Sequence, residues 1–234
     1  MTTPSKSAGA ALERYLRHWR ERGALTRESA PKKSQKPMTI AISRERGVGG
    51  AAIAKAIGEQ LDWPVYDCEL VELISKDTGI QAQLLESLDE KSTNWLSECL
   101  DSFRKEKTIG GSAYASRLVE TLFALSRHGN CIFVGRGAAQ VLPAKRTLRI
   151  RLFAPIEARI KHIANSQNLS AEEASKHIEE VDKARDSFVK KYFHKDVADL
   201  HGYDLLFNPL KYGTDRSVEI ILLALKQHVE VLGQ

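Results

Sequence analysis

The sequence predicts a three-layer α/β domain built on a parallel five-stranded sheet. Five short β-prone runs (MTIAIS, WPVYD, NCIFVGRG, TLRIRLFA and GYDLLFNP) alternate with helical stretches over about 200 residues from Met38 onward. That alternation is the pattern of parallel strands joined by helices that cover both faces of the sheet. A turn with three glycines in four positions follows the first run directly, where such folds bind ligands. With 234 residues, 42% of them apolar, the chain has ample length for a core.

The elements follow in order. MTIAIS leads into RERGVGG and then the helical AAIAKAIGEQL; WPVYD is followed by helical ELVELISKDTG and a further helical stretch through QAQLLESL. Residues 89–112 are polar and end in glycine, which suggests a partly helical segment with a mobile loop at Ile109–Ser112. ASRLVETLFALSRHG reads as a helix stopped at Gly129, with His128 in its last turn. PIEARIKHIANSQ opens on a proline, as first helical turns often do. Ser170 and Glu173 form a capping box for a long helix through about Tyr192, and DRSVEIILLALKQHVEVL is a C-terminal helix. The chain contains no internal repeat.

Charge and composition exclude several classes of function. The net charge is +5, but residues 1–38 hold nine Lys/Arg against three Glu, so this leader carries +6 and the rest of the chain −1. The basicity therefore belongs to the leader, and the body has no nucleic-acid footprint. Leu12, Tyr15, Leu16 and Trp19 fall at helical spacing, predicting one amphipathic helix before a polar, Pro-bounded linker. Residues 1–37 thus read as a basic helical leader and 38–234 as the domain, with self-association through the leader helix an open possibility. No run reaches the roughly 18 apolar residues of a membrane span, and the N-terminus lacks a signal-type apolar region. Cys68, Cys99 and Cys131 are odd in number and widely spaced, which suits a reducing compartment. A cytoplasmic location, without membrane or nucleic-acid partners, is expected.

The loop Ser43-Arg44-Glu45-Arg46-Gly47-Val48-Gly49-Gly50 supports two phosphate-binding designs. Glycines let the main chain curl closely, and free N–H groups at a helix start bind anions. Gly47, Gly49 and Ala52 fit the dinucleotide pattern G-x-G-x-x-G/A, with Asp67 where a ribose-binding acid would stand. The alternative pattern G-x-x-x-x-G-K-[ST] lacks its lysine, which is Gly50 here, and its hydroxyl, which is replaced by Ala51 and Ala52. Local motif alone favours the dinucleotide reading.

The order of motifs along the chain favours the other. ISRERGVGGAAIAKAIGEQLDWPVYDCELVELIS, FVGRGAAQVLPA, RIRLFAPIEARIKHI, VDKARDSFVKKYF and YDLLFNP together resemble the cytidylate-kinase-like family of P-loop nucleoside-monophosphate kinase relatives. The resemblance runs from about Met38 to Leu225. It implies a P-loop nucleotide-kinase-like fold in which a helical lid and an acceptor-nucleotide region close over two nucleotides. Members of this branch commonly carry a serine-arginine glycine loop without the lysine.

The resemblance also implies roles. Gly47, Val48, Gly49 and Gly50 would wrap the donor phosphates of ATP, with Ser43, Arg44 or Arg46 supplying the missing positive charge. Asp67, Gly135, Arg136 and Gly137 would form the acceptor side, Arg136 gripping the acceptor phosphate; for Asp67, a cap on the following helix is an equal alternative. Gly137 stands where the G-R-D acceptor motif of true cytidylate kinases has its aspartate. Arg159 would stand at the lid entrance, with Asp182, Arg185 and Asp186 on the long helix as the lid arginine-aspartate set; surface ion pairing is the plain alternative for these. His162, His177 and His194 are expected on solvated helix faces, and no protein metal site is anticipated. Mg2+ would accompany ATP. The expected function is phosphate transfer from ATP to a CMP-like nucleoside monophosphate or related small acceptor. A nucleotide binder without turnover is the second reading, and an NAD-dependent oxidoreductase a distant third.

Overall fold

The opening strand shows how the sequence builds two cores at once. Along β1 (Thr39–Arg44), side chains alternate between faces: Ile40 and Ile42 enter one apolar layer and Ala41 the other. A computed structural model describes residues 38–86 and 113–232, with 88, 93–94, 96–98 and 100–101 between them. The predicted leader and the loop Ile109–Ser112 lie outside the described residues, as does Cys99.

After β1 come α1 (Gly50–Leu61), β2 (Val65–Tyr66), α2 (Cys68–Lys76), α3 (Thr78–Glu86) and α4 (Ala113–His128). The chain continues through β3 (Cys131–Val134), the short α5 (Ala138–Val141), β4 (Thr147–Leu152), α6 (Ile156–Gln167), α7 (Ala171–Phe193), β5 (Leu205–Phe207) and α8 (Pro209–Leu232). All five strands are parallel, in the order β2-β3-β1-β4-β5. The three-layer parallel α/β sheet read from the sequence is the fold observed. α1 and α8 cover one face through Ile53, Ile57, Val218 and Ile221. α2, α3, α4, α5 and the end of α7 cover the other, around Phe123, Phe133 and Phe193.

The lid helices α6 and α7 hold a small apolar cluster of their own, Ile163 with Ala174 and Ile178. The predicted capping box starts α7: Ser170 Oγ accepts from Glu173 N–H while Glu173 returns a carboxylate to Ser170 N–H. Three details differ from the sequence reading. α5 was not anticipated, because four residues carry no periodicity. α8 begins earlier, at Pro209, and is broken at Gly213 (φ 78). His177, expected in solvent, is half-buried and accepts a 3.1 Å bond from Arg46 Nε; His162 and His194 are exposed as expected.

Candidate active site

Central β1 places its carboxyl end between those of β3 and β4, so three loops meet there. Register pairs Ile42 with Val134 and Arg44 with Leu152. Glu45 N–H donates to Leu152 O at 3.0 Å, fixing the exit of the chain from the sheet. The loop then turns through Gly47 (φ 91) and Gly49 (φ 78), both left-handed, as glycine permits. Val48, 1% exposed, anchors it in the α1 layer. α1 starts with no side-chain cap and no acidic residue in its first turn, leaving amide donors and the positive end of the helix dipole uncompensated.

The neighbouring loop takes a rarer conformation. Gly135, Arg136 and Gly137 all have positive φ (87, 50 and 71), and for Arg136 that is a strained backbone of the kind concentrated at functional sites. Its guanidinium is fully oriented: Nη2 pairs with the Glu72 carboxylate, Nε donates to Cys68 O at 3.3 Å, and Cζ stands 4.8 Å from the centre of the Phe188 ring. Burial alone would raise the Glu72 carboxyl, but bonds from Lys76 and Arg136 outweigh it and hold the group below the ordinary carboxylate range. Asp67 caps α2, accepting from Leu70 N–H at 2.8 Å.

Lid residues press on the glycine loop from the other side. Arg159 Nη1 donates to Asp182 Oδ2 at 2.6 Å, and its Nε lies 3.4 Å from Glu45 Oε2. The second oxygen of Asp182 accepts from Arg46 N–H at 2.7 Å. Arg185 Nη1 donates to Arg44 O at 3.2 Å and stands 3.6 Å from Asp182. Burial, with Arg44 adding to it, brings Arg185 down to about 10. Asp186 is exposed at the cavity rim.

These parts enclose a cavity of about 320 Å³ into which Arg44, Arg136, Arg151 and Arg185 all face, with Phe188 and Val189 as an apolar wall. Arg44, which leaves the sheet at the start of the glycine loop, turns its side chain across Gly135, next to Arg136. Arg151 and Tyr203 were not found from the sequence. Arg151 Nη1 donates to Ser43 Oγ at 2.8 Å. The buried Tyr203 hydroxyl lies 2.9 Å from Val197 O and 3.2 Å from Ser43 Oγ, and accepts from Gln140 Nε2 at 2.6 Å. The only sequence signal for Arg151 was a charge near the end of a strand otherwise destined for the core.

Residues 39–210 match the model of the cytidylate kinase-like family. The chain belongs to the cytidylate kinase-like family. Among curated relatives, a cytidylate kinase of Methanothrix thermoacetophila is 26% identical, the match covering 81% of this chain and 98% of that one. A cytidylate kinase of Methanopyrus kandleri is 30% identical, over 45% of this chain and 59% of that protein. Among solved structures, an uncharacterized protein from Eubacterium ventriosum has the same fold, with TM-score 0.63 and 23% identity over 82% of this chain and 99% of its own.

Ala51 and Ala52 put no hydroxyl at the start of α1, and no cluster of three or more metal-ligating side chains occurs among the described residues. No helix among the described residues is long and apolar enough to cross a membrane.

Proposed function

We propose that the protein is a phosphotransferase that moves the terminal phosphate of ATP to a small phosphorylated acceptor, with a CMP-like nucleoside monophosphate the first candidate. The observation that carries this reading is the convergence of four arginines, from β1, β3's loop, β4 and the lid, on one cavity beside an uncapped helix start. Family membership supports the same reaction class.

Phosphoryl transfer asks the protein for alignment and positive charge rather than covalent help. In this reading the donor phosphates lie along residues 43–50 and the free amides of α1. Arg136, already aimed by Glu72 and Cys68 O, holds the acceptor phosphate, and Arg185 serves the migrating group from the lid. No general base is needed, because an acceptor phosphate oxygen is already nucleophilic. Magnesium would come with the triphosphate, held by phosphate oxygens.

The test is a thermal-shift panel of nucleoside mono-, di- and triphosphates and NAD(H), with and without magnesium, followed by product analysis. ATP stabilisation plus a diphosphate product supports the kinase. ATP stabilisation with no product from any monophosphate makes it a binder without turnover. Stabilisation by NAD(H) alone selects the oxidoreductase, a reading that the use of Asp67 as a helix cap does not favour. Arg136→Ala with an unchanged circular dichroism spectrum and unaffected transfer would remove the central residue.

A further inference from the structure

We infer that Arg44 is the catalytic cation that replaces the missing loop lysine, contacting the phosphate in transfer; this rests on the kinase reading above. The first support is space. A Cβ built on Gly50, the position of the absent lysine, would stand 3.1 Å from Arg44 Cγ and 3.3 Å from its Cβ. The arginine stem runs where a side chain from residue 50 would begin. Its guanidinium ends over Gly135, so close to that residue's Cα that no methyl group fits beneath it. It thereby lines the same cavity as Arg136 and Arg185.

Charge is the second support. Arg136 pairs with Glu72, Arg185 with Asp182 at 3.6 Å, and Arg151 with Glu45 at 3.9 Å, whereas Arg44 makes no ion pair among the described residues. It is half-buried, and burial together with Arg136 pushes it down against the opposing pull of Cys68 and the Asp67 carboxylate, while it in turn lowers Arg185. A cation desolvated beside two others is costly until a multivalent anion joins them, and a guanidinium can grip a phosphate with two parallel bonds.

The other loop candidates are committed elsewhere. Arg46 Nε is bonded to His177 on the lid, and Ser43 carries no charge and is held by Arg151.

The experiment relocates the charge. Gly50 does not have a left-handed φ, and Arg44→Ala removes the Cγ that would stand 3.1 Å from a Cβ there, leaving the residue 44 Cβ at 3.3 Å to give by a few tenths of an ångström. Arg44→Ala is expected to lower kcat by ~10²–10³-fold with a smaller change in acceptor KM. The double variant Arg44→Ala/Gly50→Lys is expected to recover about tenfold or more of that loss. In calorimetry, inorganic tripolyphosphate should bind more weakly to Arg44→Ala and regain affinity in the double variant, a readout that needs no turnover. If wild type turns over and folded Arg44→Ala keeps its kcat, or the double variant matches Arg44→Ala in both assays, the assignment is overturned while the kinase reading stands. If wild type makes no product, the kinase reading falls and the tripolyphosphate series alone decides for or against Arg44 as the loop's cation.

Discussion

Asp182 Oδ1 accepts the backbone N–H of Arg46 at 2.7 Å, so a lid carboxylate sits on the glycine loop as an anion would. The same carboxylate holds Arg159, whose backbone packs against Gly47. A phosphate arriving at that amide has to displace it. Asp182→Ala should therefore speed hydrogen exchange at the amides of residues 45–49. It should also lower stability by roughly 1–3 kcal/mol, because Arg159 loses a partner in a water-poor site. Unchanged exchange in a folded variant would mean that the contact does not restrain the loop.

Gly137 and Gly49 both have left-handed φ, but their surroundings differ. A Cβ on Gly137 would overlap the Phe193 ring, whereas one on Gly49 meets nothing within 4 Å. Gly49→Ala should cost about 1–2 kcal/mol for the backbone alone. Gly137→Ala should add roughly 1–3 kcal/mol for the displaced ring. Urea denaturation of the two variants checks the order, and equal losses would contradict it.

Arg149 and Asp204 form a two-point ion pair, Nε to Oδ2 at 3.0 Å and Nη2 to Oδ1 at 2.7 Å, with Arg149 N–H adding a third bond at 2.8 Å. Burial alone would raise the Asp204 carboxyl, yet these bonds outweigh it and hold the group below its ordinary value. The folded state is then the stronger acid. The contribution is complete at and above the ordinary carboxylate range and is lost as pH falls through the lower folded value. Asp204→Asn should flatten the acid limb of stability below about pH 4 relative to wild type. Urea midpoints measured from neutral pH downward test this.

Tyr203→Phe removes the hydroxyl that joins Gln140, Ser43 and Val197 O. A loss of roughly 1–3 kcal/mol is expected, since buried partners are left unsatisfied. Because Ser43 also positions Arg151, acceptor KM should rise as well; a stability loss with KM unchanged would confine Tyr203 to a structural role.

Local pattern carried most of what was legible in the sequence. The five strands, the Ser170–Glu173 box and the glycine turn each depend on residues within a few positions of one another, where spacing encodes geometry. Asp67 stayed open between two uses because both need the same residue at the same place; one carboxylate oxygen is committed to its own helix. What escaped depends on register between distant strands. Ser43 meets Arg151 only because β1 and β4 align them, and nothing in R-I-R tells which arginine faces the cavity. The direction of Arg44 was hidden for a related reason: it is set by the emptiness above Gly135, a residue 91 positions away in sequence. His177 was misplaced because its partner, Arg46, lies on a different element.

α7 is a single uninterrupted rod whose far end is locked in the protein interior at Phe193, 0% exposed. Asp182 lies eleven residues upstream, roughly 16 Å along the axis, and between them Phe188 and Val189 wall the arginine cavity. A stiff lever fixed at one tip cannot release the glycine turn without tilting that wall. Movement at the glycine turn is thus mechanically geared to the shape of the arginine cavity.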